Sequence, residues 1–202
     1  MIHNNTPYGD TPYEQQMLIN NAYNERLLEA FTDKKTIFRI STEDMDCKLY
    51  RPEIPTNRAF GEDNTIERVC FADTIEGCFR AIPGSEVYAN KRQTFYVHIP
   101  IYDDYFMGTI QDGLVAYPKA KLVPDTYLTQ EVWVMDMVRV QCIAEIRAWY
   151  DASKNPNFYS VEELPVRMKL VNCKFGMRQW INECLNEHPE YTIPLYEDDE
   201  NE

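Results

Sequence analysis

Between positions 127 and 140 the chain passes from polar to almost unbroken apolar: Tyr-Leu-Thr-Gln-Glu, then Val-Trp-Val-Met-Asp-Met-Val-Arg-Val. Val132, Val134, Val138 and Val140 alternate with Trp133, Met135 and Met137, so both faces of an extended segment are apolar. That pattern predicts one inner strand covered on both sides. Residues 141–150 set Cys142, Ala144, Ile146 and Ala148 against Ile143, Glu145 and Arg147. They read as the same strand carried on, or as a second strand after a bend. Shorter β-rich runs precede this region at 36–41, 68–72 and 94–101. Helical spacing shows elsewhere. Met17, Leu18, Ala22, Leu27, Leu28 and Phe31 stripe residues 13–32, with Thr11-Pro12 as cap and first position. Residues 75–82 follow a capping Asp73 or Thr74 and stop at Pro83-Gly84. Phe175, Trp180, Ile181, Cys184 and Leu185 stripe residues 170–187, which His188-Pro189 ends. Ser160-Val-Glu-Glu-Leu164 has the form of a capping box with one helical turn. The intervening stretches 48–64 and 102–126 read as long connections, and long loops are often functional.

The apolar runs are enough for one α+β domain. At 202 residues the chain can bury a substantial core. Its parts are an N-terminal arm and helix (1–35), a strand-rich core (36–150), a helical cover (151–196) and an acidic tail (197–202). The tail reads as a disordered solubilising end.

Charge narrows the function. A net charge of -13 disfavours direct nucleic-acid binding, which needs a basic surface. It suits small-molecule chemistry or a basic protein partner. The six cysteines form no C-x-x-C pair and no zinc-finger spacing, so no metal is expected. Reduced thiols fit a cytoplasmic protein. No signal-like apolar segment opens the chain, and no run reaches membrane-spanning length.

Three polar residues stand out against apolar surroundings. Glu131 is the first charged group before the long apolar run. It is either a solvated loop end or a carboxylate held rigidly at a strand mouth. Arg39 lies between Phe38 and Ile40. Its partner is either a surface acid or a specific ligand, because an unpaired buried charge is costly. His98 interrupts an apolar strand, as a core histidine with one hydrogen bond or as a ligand contact. The start of the 75–82 helix aims backbone N–H groups beyond the preceding strand, a setting that favours an anion such as a pyrophosphate.

In order, these elements are an Arg-bearing strand, a long Pro-containing loop, a strand and helix, a His-bearing strand, and a Glu-led strand. The series resembles the ADP-ribosyltransferase-like superfamily, taken broadly to include RNA 2′-phosphotransferases and small bacterial and phage members. Ile37-Phe-Arg-Ile-Ser41 looks like the family's first core strand, with Arg39 in the NAD-holding place and Ser41 two residues on. Val69-Cys-Phe-Ala-Asp-Thr74 is similar to its second strand. Thr129-Gln-Glu131 resembles the segment that carries its catalytic glutamate. Two departures bear on target specificity: the middle strand lacks a Ser-Thr-Ser pattern, and no second acid sits two residues before Glu131.

The resemblance implies a split β-sheet core with flanking N- and C-terminal helices. It implies NAD, or a related ADP-ribose-type nucleotide, bound in a cleft between two small sheets. Arg39, Ser41, Asp73, Thr74, His98 and Thr129 would contact that nucleotide. Glu131 would stabilise an oxocarbenium-like transition state as nicotinamide leaves. The alternative expectation is a non-catalytic acidic binding protein that sequesters a nucleotide or occupies a host or defence protein.

Overall fold

The computed structural model describes residues 13–31, 36–81, 93–101, 114–150 and 166–173. Its elements run α1 (Tyr13–Asn24), β1 (Leu28–Ala30), β2 (Arg39–Ser41), β3 (Leu49–Tyr50), β4 (Val69–Ala72), α2 (Ile75–Ala81) and β5 (Gln93–Pro100). They continue with β6 (Val115–Pro118), α3 (Thr126–Thr129), β7 (Glu131–Val134), β8 (Val138–Tyr150) and β9 (Val166–Cys173). The fold is mixed α+β with two antiparallel sheets. One has the order β1-β6-β7-β4; the other has the order β2-β5-β8-β3, with β9 also on β8.

The long apolar run is two strands, not one. Glu131–Val134 lies inside the first sheet, between β6 and β4, and all four residues are buried. Val138–Tyr150 lies inside the second sheet. The break falls at Met135-Asp136-Met137, where Asp136 Oδ1 accepts the Met137 N–H at 2.7 Å. This local bond competes with ladder pairing and lets the chain leave one sheet for the other. Beyond the break, residues 141–150 carry on from 138–140 in one strand.

The N-terminal helix is shorter than expected. It stops at Asn24 because Arg26 takes a left-handed φ of 57°. Arg26 N–H donates to Tyr23 O at 2.9 Å and Leu27 N–H to Ala22 O at 2.8 Å. This is a Schellman closure with Arg at the position glycine usually fills. Asn20, Asn21 and Asn24 add little helix propensity to resist it. Leu28 then enters β1 and pairs with Pro118.

Other expected boundaries also move. The 102–126 connection contains β6, and the 48–64 loop contains β3 and a bridge from Glu53 to Arg68. Residues 170–173, expected to be helical, belong to β9, where Leu170 pairs with Ile146. Val166, Met168 and Leu170 alternate with Arg167 and Lys169, a strand period that fits pairing to β8. The rest of the 170–187 helix, the 160–164 turn, the arm and the tail lie outside the described residues.

Two apolar clusters hold the first sheet. Trp133, Ala116 and Met135 pack with Ile19 and Ala22 of α1 on one side. Val132, Val134, Val69, Phe71 and Val115 pack with Val138 and Val140 on the other. No described helix is long and apolar enough to cross a membrane.

Candidate functional site

The sheets meet at a backbone seam. Phe38 and Ala72 exchange hydrogen bonds of 2.8 Å in both directions, outside the named ladders. Arg39 follows Phe38, and Glu131 is the ladder partner of Ala72. The seam therefore brings the start of β2 and the start of β7 to one place. A cleft of about 610 Å³ opens there, lined among others by Arg39, Tyr50, Cys70, Ala72, Thr129 and Glu131. That volume is in the range of small-molecule sites.

Glu131 is positioned from both ends. Before it, α3 ends at Gln130 in a left-handed conformation with φ 49°. Gln130 O accepts the Asp73 N–H at 3.0 Å, and its Oε1 takes a hydrogen bond from Thr74 Oγ1 at 2.5 Å. Thr74 Oγ1 also accepts the Gly77 N–H at 2.9 Å and so caps α2. Gly77 allows α2 and α3 to touch, since a Cβ there would stand 2.5 Å from Thr129 O. On the carboxyl side, Trp133 Nε1 donates to Glu131 Oε1 at 2.8 Å. The Cys70 thiol is a second donor to the same carboxylate.

Burial pushes the Glu131 carboxyl above the usual carboxylate range. The bonds from Cys70 and Trp133 pull it back, Glu62 adds a smaller push upward, and Arg68 a smaller pull downward. The Cys70 thiol is held well above its ordinary range, first by burial and then by the Glu131 charge. Cys70 is therefore a hydrogen-bond donor here rather than a thiolate nucleophile.

Arg39 Nη1 donates to Cys70 O at 2.8 Å, and its guanidinium lies 4.8 Å from the Tyr50 ring centroid. Its Nε is buried without a hydrogen-bond partner. No ion pair links Arg39 to Glu131. The lining carries five arginines (Arg39, Arg51, Arg58, Arg68 and Arg80) against four acids (Glu53, Glu62, Asp125 and Glu131). On a chain of net charge -13 this is a local reversal of sign. Arg68 is tied internally: Nη2 bonds Glu62 Oε1 at 2.5 Å, and the guanidinium stacks 4.0 Å from the Trp133 ring. Arg80 pairs with Glu76.

The expected site residues divide. Arg39, Thr129 and Glu131 share the cleft. Ser41, Asp73, Thr74 and His98 are not among its lining residues. Ser41 Oγ accepts the Glu43 N–H at 3.1 Å, and Asp73 Oδ1 takes the Tyr117 hydroxyl at 3.0 Å. Thr74 caps α2. His98 is buried in β5, and its Nε2 accepts the Met45 N–H at 3.0 Å. Cys70, Trp133, Tyr50 and the other cleft arginines (Arg51, Arg58, Arg68 and Arg80) were not legible as site residues. Trp133 had a signal, because two residues on from Glu131 in a strand means the same face. Comparison with protein-family models, curated proteins and solved structures returns no match.

Proposed function

We propose that the protein is an NAD-dependent ADP-ribosyltransferase, or a related enzyme acting on an ADP-ribose-type nucleotide, built on a split-sheet core of that kind. One observation carries this reading: Arg39 and Glu131, far apart in sequence and on different sheets, line the same cleft. The cleft suits the ligand in size. Its orphaned Arg39 Nε and its excess of arginine suit a pyrophosphate. NAD supplies the glycosidic bond whose cleavage releases nicotinamide.

In this reading Arg39 grips the phosphates with a planar fork already oriented by Cys70 O and Tyr50. Glu131 accepts a ribose hydroxyl and places negative charge beside the carbon that becomes electron-poor. Its burial makes that charge effective, since little water screens it. Trp133 and Cys70 fix the carboxylate before substrate arrives, so little reorganisation is needed at the barrier. Thr129, buried at the end of α3, borders the same point.

The test is nicotinamide release from NAD by purified protein, with and without cell extract, for the wild type and Glu131→Gln. Release by the wild type, reduced about 10²–10³-fold in a folded Glu131→Gln, is the expected result. Equal rates would remove Glu131 from the chemistry.

A second reading draws on the same carboxylate. Glu131 bonds inward to Trp133 and Cys70, as a structural group would. On that basis the cleft binds a nucleotide without turning it over, and the acidic exterior covers a basic partner. Stoichiometric NAD or ADP-ribose binding with no nicotinamide release would select it.

A further inference from the structure

On the far strand of the Arg39 ladder, three residues bring different metal-ligand chemistries together. His98 of β5 and Cys142 of β8 are register partners. They are partners because of a register shift: Val97 faces Ala144, His98 faces Cys142, and Ile143 is passed over. Regular pairing would have set His98 opposite Ile143. The bulge instead puts an imidazole and a thiol on one face as direct cross-strand neighbours. Both are buried.

The turn after β2 closes over them and is pinned at several points. Met45 N–H donates to His98 Nε2 at 3.0 Å, Asp46 Oδ1 accepts the Cys142 N–H at 2.8 Å, and Cys47 N–H donates to Val140 O at 2.9 Å. Asp44, on the same turn, brings Oδ1 to 3.8 Å from His98 Nε2. The Asp44, His98 and Cys142 ligand atoms all lie within 4.8 Å of one another.

We propose that Asp44, His98 and Cys142 form a binding site for a zinc-class divalent cation. The donor set is one carboxylate oxygen, one imidazole nitrogen and one sulfur, which selects a borderline-soft ion over Mg²⁺ or Ca²⁺. A tetrahedral zinc centre sets its ligand atoms about 3.5 Å apart. Asp44 Oδ1 and His98 Nε2 already stand 3.8 Å apart, no pair in the set exceeds 4.8 Å, and Asp44, whose side chain is 53% exposed, is free to adjust. That exposure also provides the entry path. The Met45 amide occupies the Nε2 lone pair, and Met45 adjoins Asp44 in the chain. An ion taken at Nε2 requires the Met45 amide to leave that lone pair. Three protein ligands leave a fourth position for water. Binding releases the thiol proton.

The site would act on the cleft through the turn that it clamps. Residues 42–48 connect β2, which carries Arg39, to β3, which carries Tyr50. An ion there fixes the spacing of the cation–π pair without touching the cleft. The absence of zinc-finger spacing in the sequence is no obstacle, because the ligands are gathered by sheet register rather than by a local motif.

The test is Co²⁺ titration of the full chain, followed in the near-ultraviolet thiolate-to-cobalt band, with displacement by Zn²⁺. One equivalent should bind and develop the band, and Zn²⁺ should abolish it. Cys142→Ser should lose the band. Asp44→Asn should weaken Co²⁺ on the order of 100-fold. Cys47→Ser, at an exposed cysteine of the same turn, should leave both unchanged. No band in the wild type, a band that survives Cys142→Ser, or one lost in Cys47→Ser overturns the site. If Cys142→Ser does not fold, Asp44→Asn decides, and unchanged affinity there also overturns it.

Discussion

Phe38 and Ala72 bond to each other in both directions at 2.8 Å, and this bridge aligns Arg39 with Glu131 across two sheets. The candidate site thus depends on backbone pairing more than on side-chain packing. Each element that reaches the seam gives a separate test.

Glu131 gives a stability test with a definite sign. Its folded pKa is raised by burial, so between the unfolded carboxylate value of 4.5 and the raised folded value the native state holds more protons than the unfolded chain. Stability from this group is complete below 4.5 and falls as pH rises through the folded pKa. Glu131→Gln removes the cost of the buried charge and keeps an oxygen for Trp133. Its thermal midpoint should exceed that of the wild type at pH 8, with the gap closing as pH falls toward 4.5. Midpoints measured across that range check it; a gap that widens on acidification refutes the assignment.

Gly77 tests the contact that places α3. A methyl at Gly77 would meet Thr129 O at 2.5 Å, and a backbone oxygen cannot swing away. Gly77→Ala should cost about 1–3 kcal/mol in urea unfolding. Because Thr129 adjoins the Gln130–Glu131 step, the variant should also lose any nicotinamide release under conditions where it is still folded.

Arg68 tests the floor of the cleft. It is buried, bonded to Glu62 and stacked on Trp133, and Glu62 is itself little exposed. Arg68→Met leaves that carboxylate without its cation and should cost about 3–5 kcal/mol. Adding Glu62→Gln should restore part of the loss in a double-mutant cycle. A null effect of Arg68→Met would mean that water reaches this pair.

The cysteines should separate by alkylation. Cys47 is exposed and should react with iodoacetamide at pH 8 before the other three described cysteines, Cys70, Cys78 and Cys142. Burial pushes the Cys78 thiol up to about 12, and Cys70 is also raised well above its usual range. Peptide mass mapping of the native protein should find Cys47 labelled long before Cys70 or Cys78.

What the sequence disclosed follows from what kind of physics set each feature. The strands read at 68–72 and 94–101 and the cap read at Asp73 or Thr74 are local features, and the structure places them at 69–72, 93–100 and Thr74. Arg39 and Glu131 showed as charges misplaced in apolar runs. The split at Met135-Asp136-Met137 was hidden because apolar residues on both faces look alike in one sheet or two. Arg26 ends α1 from a left-handed conformation that the sequence marks with no glycine. The 166–173 strand alternates, but the longer helical stripe beyond it took precedence. His98 and Cys142 were legible singly, whereas their pairing needs a bulge that no single-strand pattern reveals.

The seam has one more consequence, for the order in which the molecule assembles. Hairpin-like pairs such as β6 with β7 join near neighbours in the chain, while Phe38–Ala72 and Ala72–Glu131 close long loops. The cleft is complete only when both sheets have docked, and a ligand that needs both walls binds only the finished protein. Such a ligand acts as a brace on the whole fold, raising its melting temperature with ligand concentration rather than stiffening one loop.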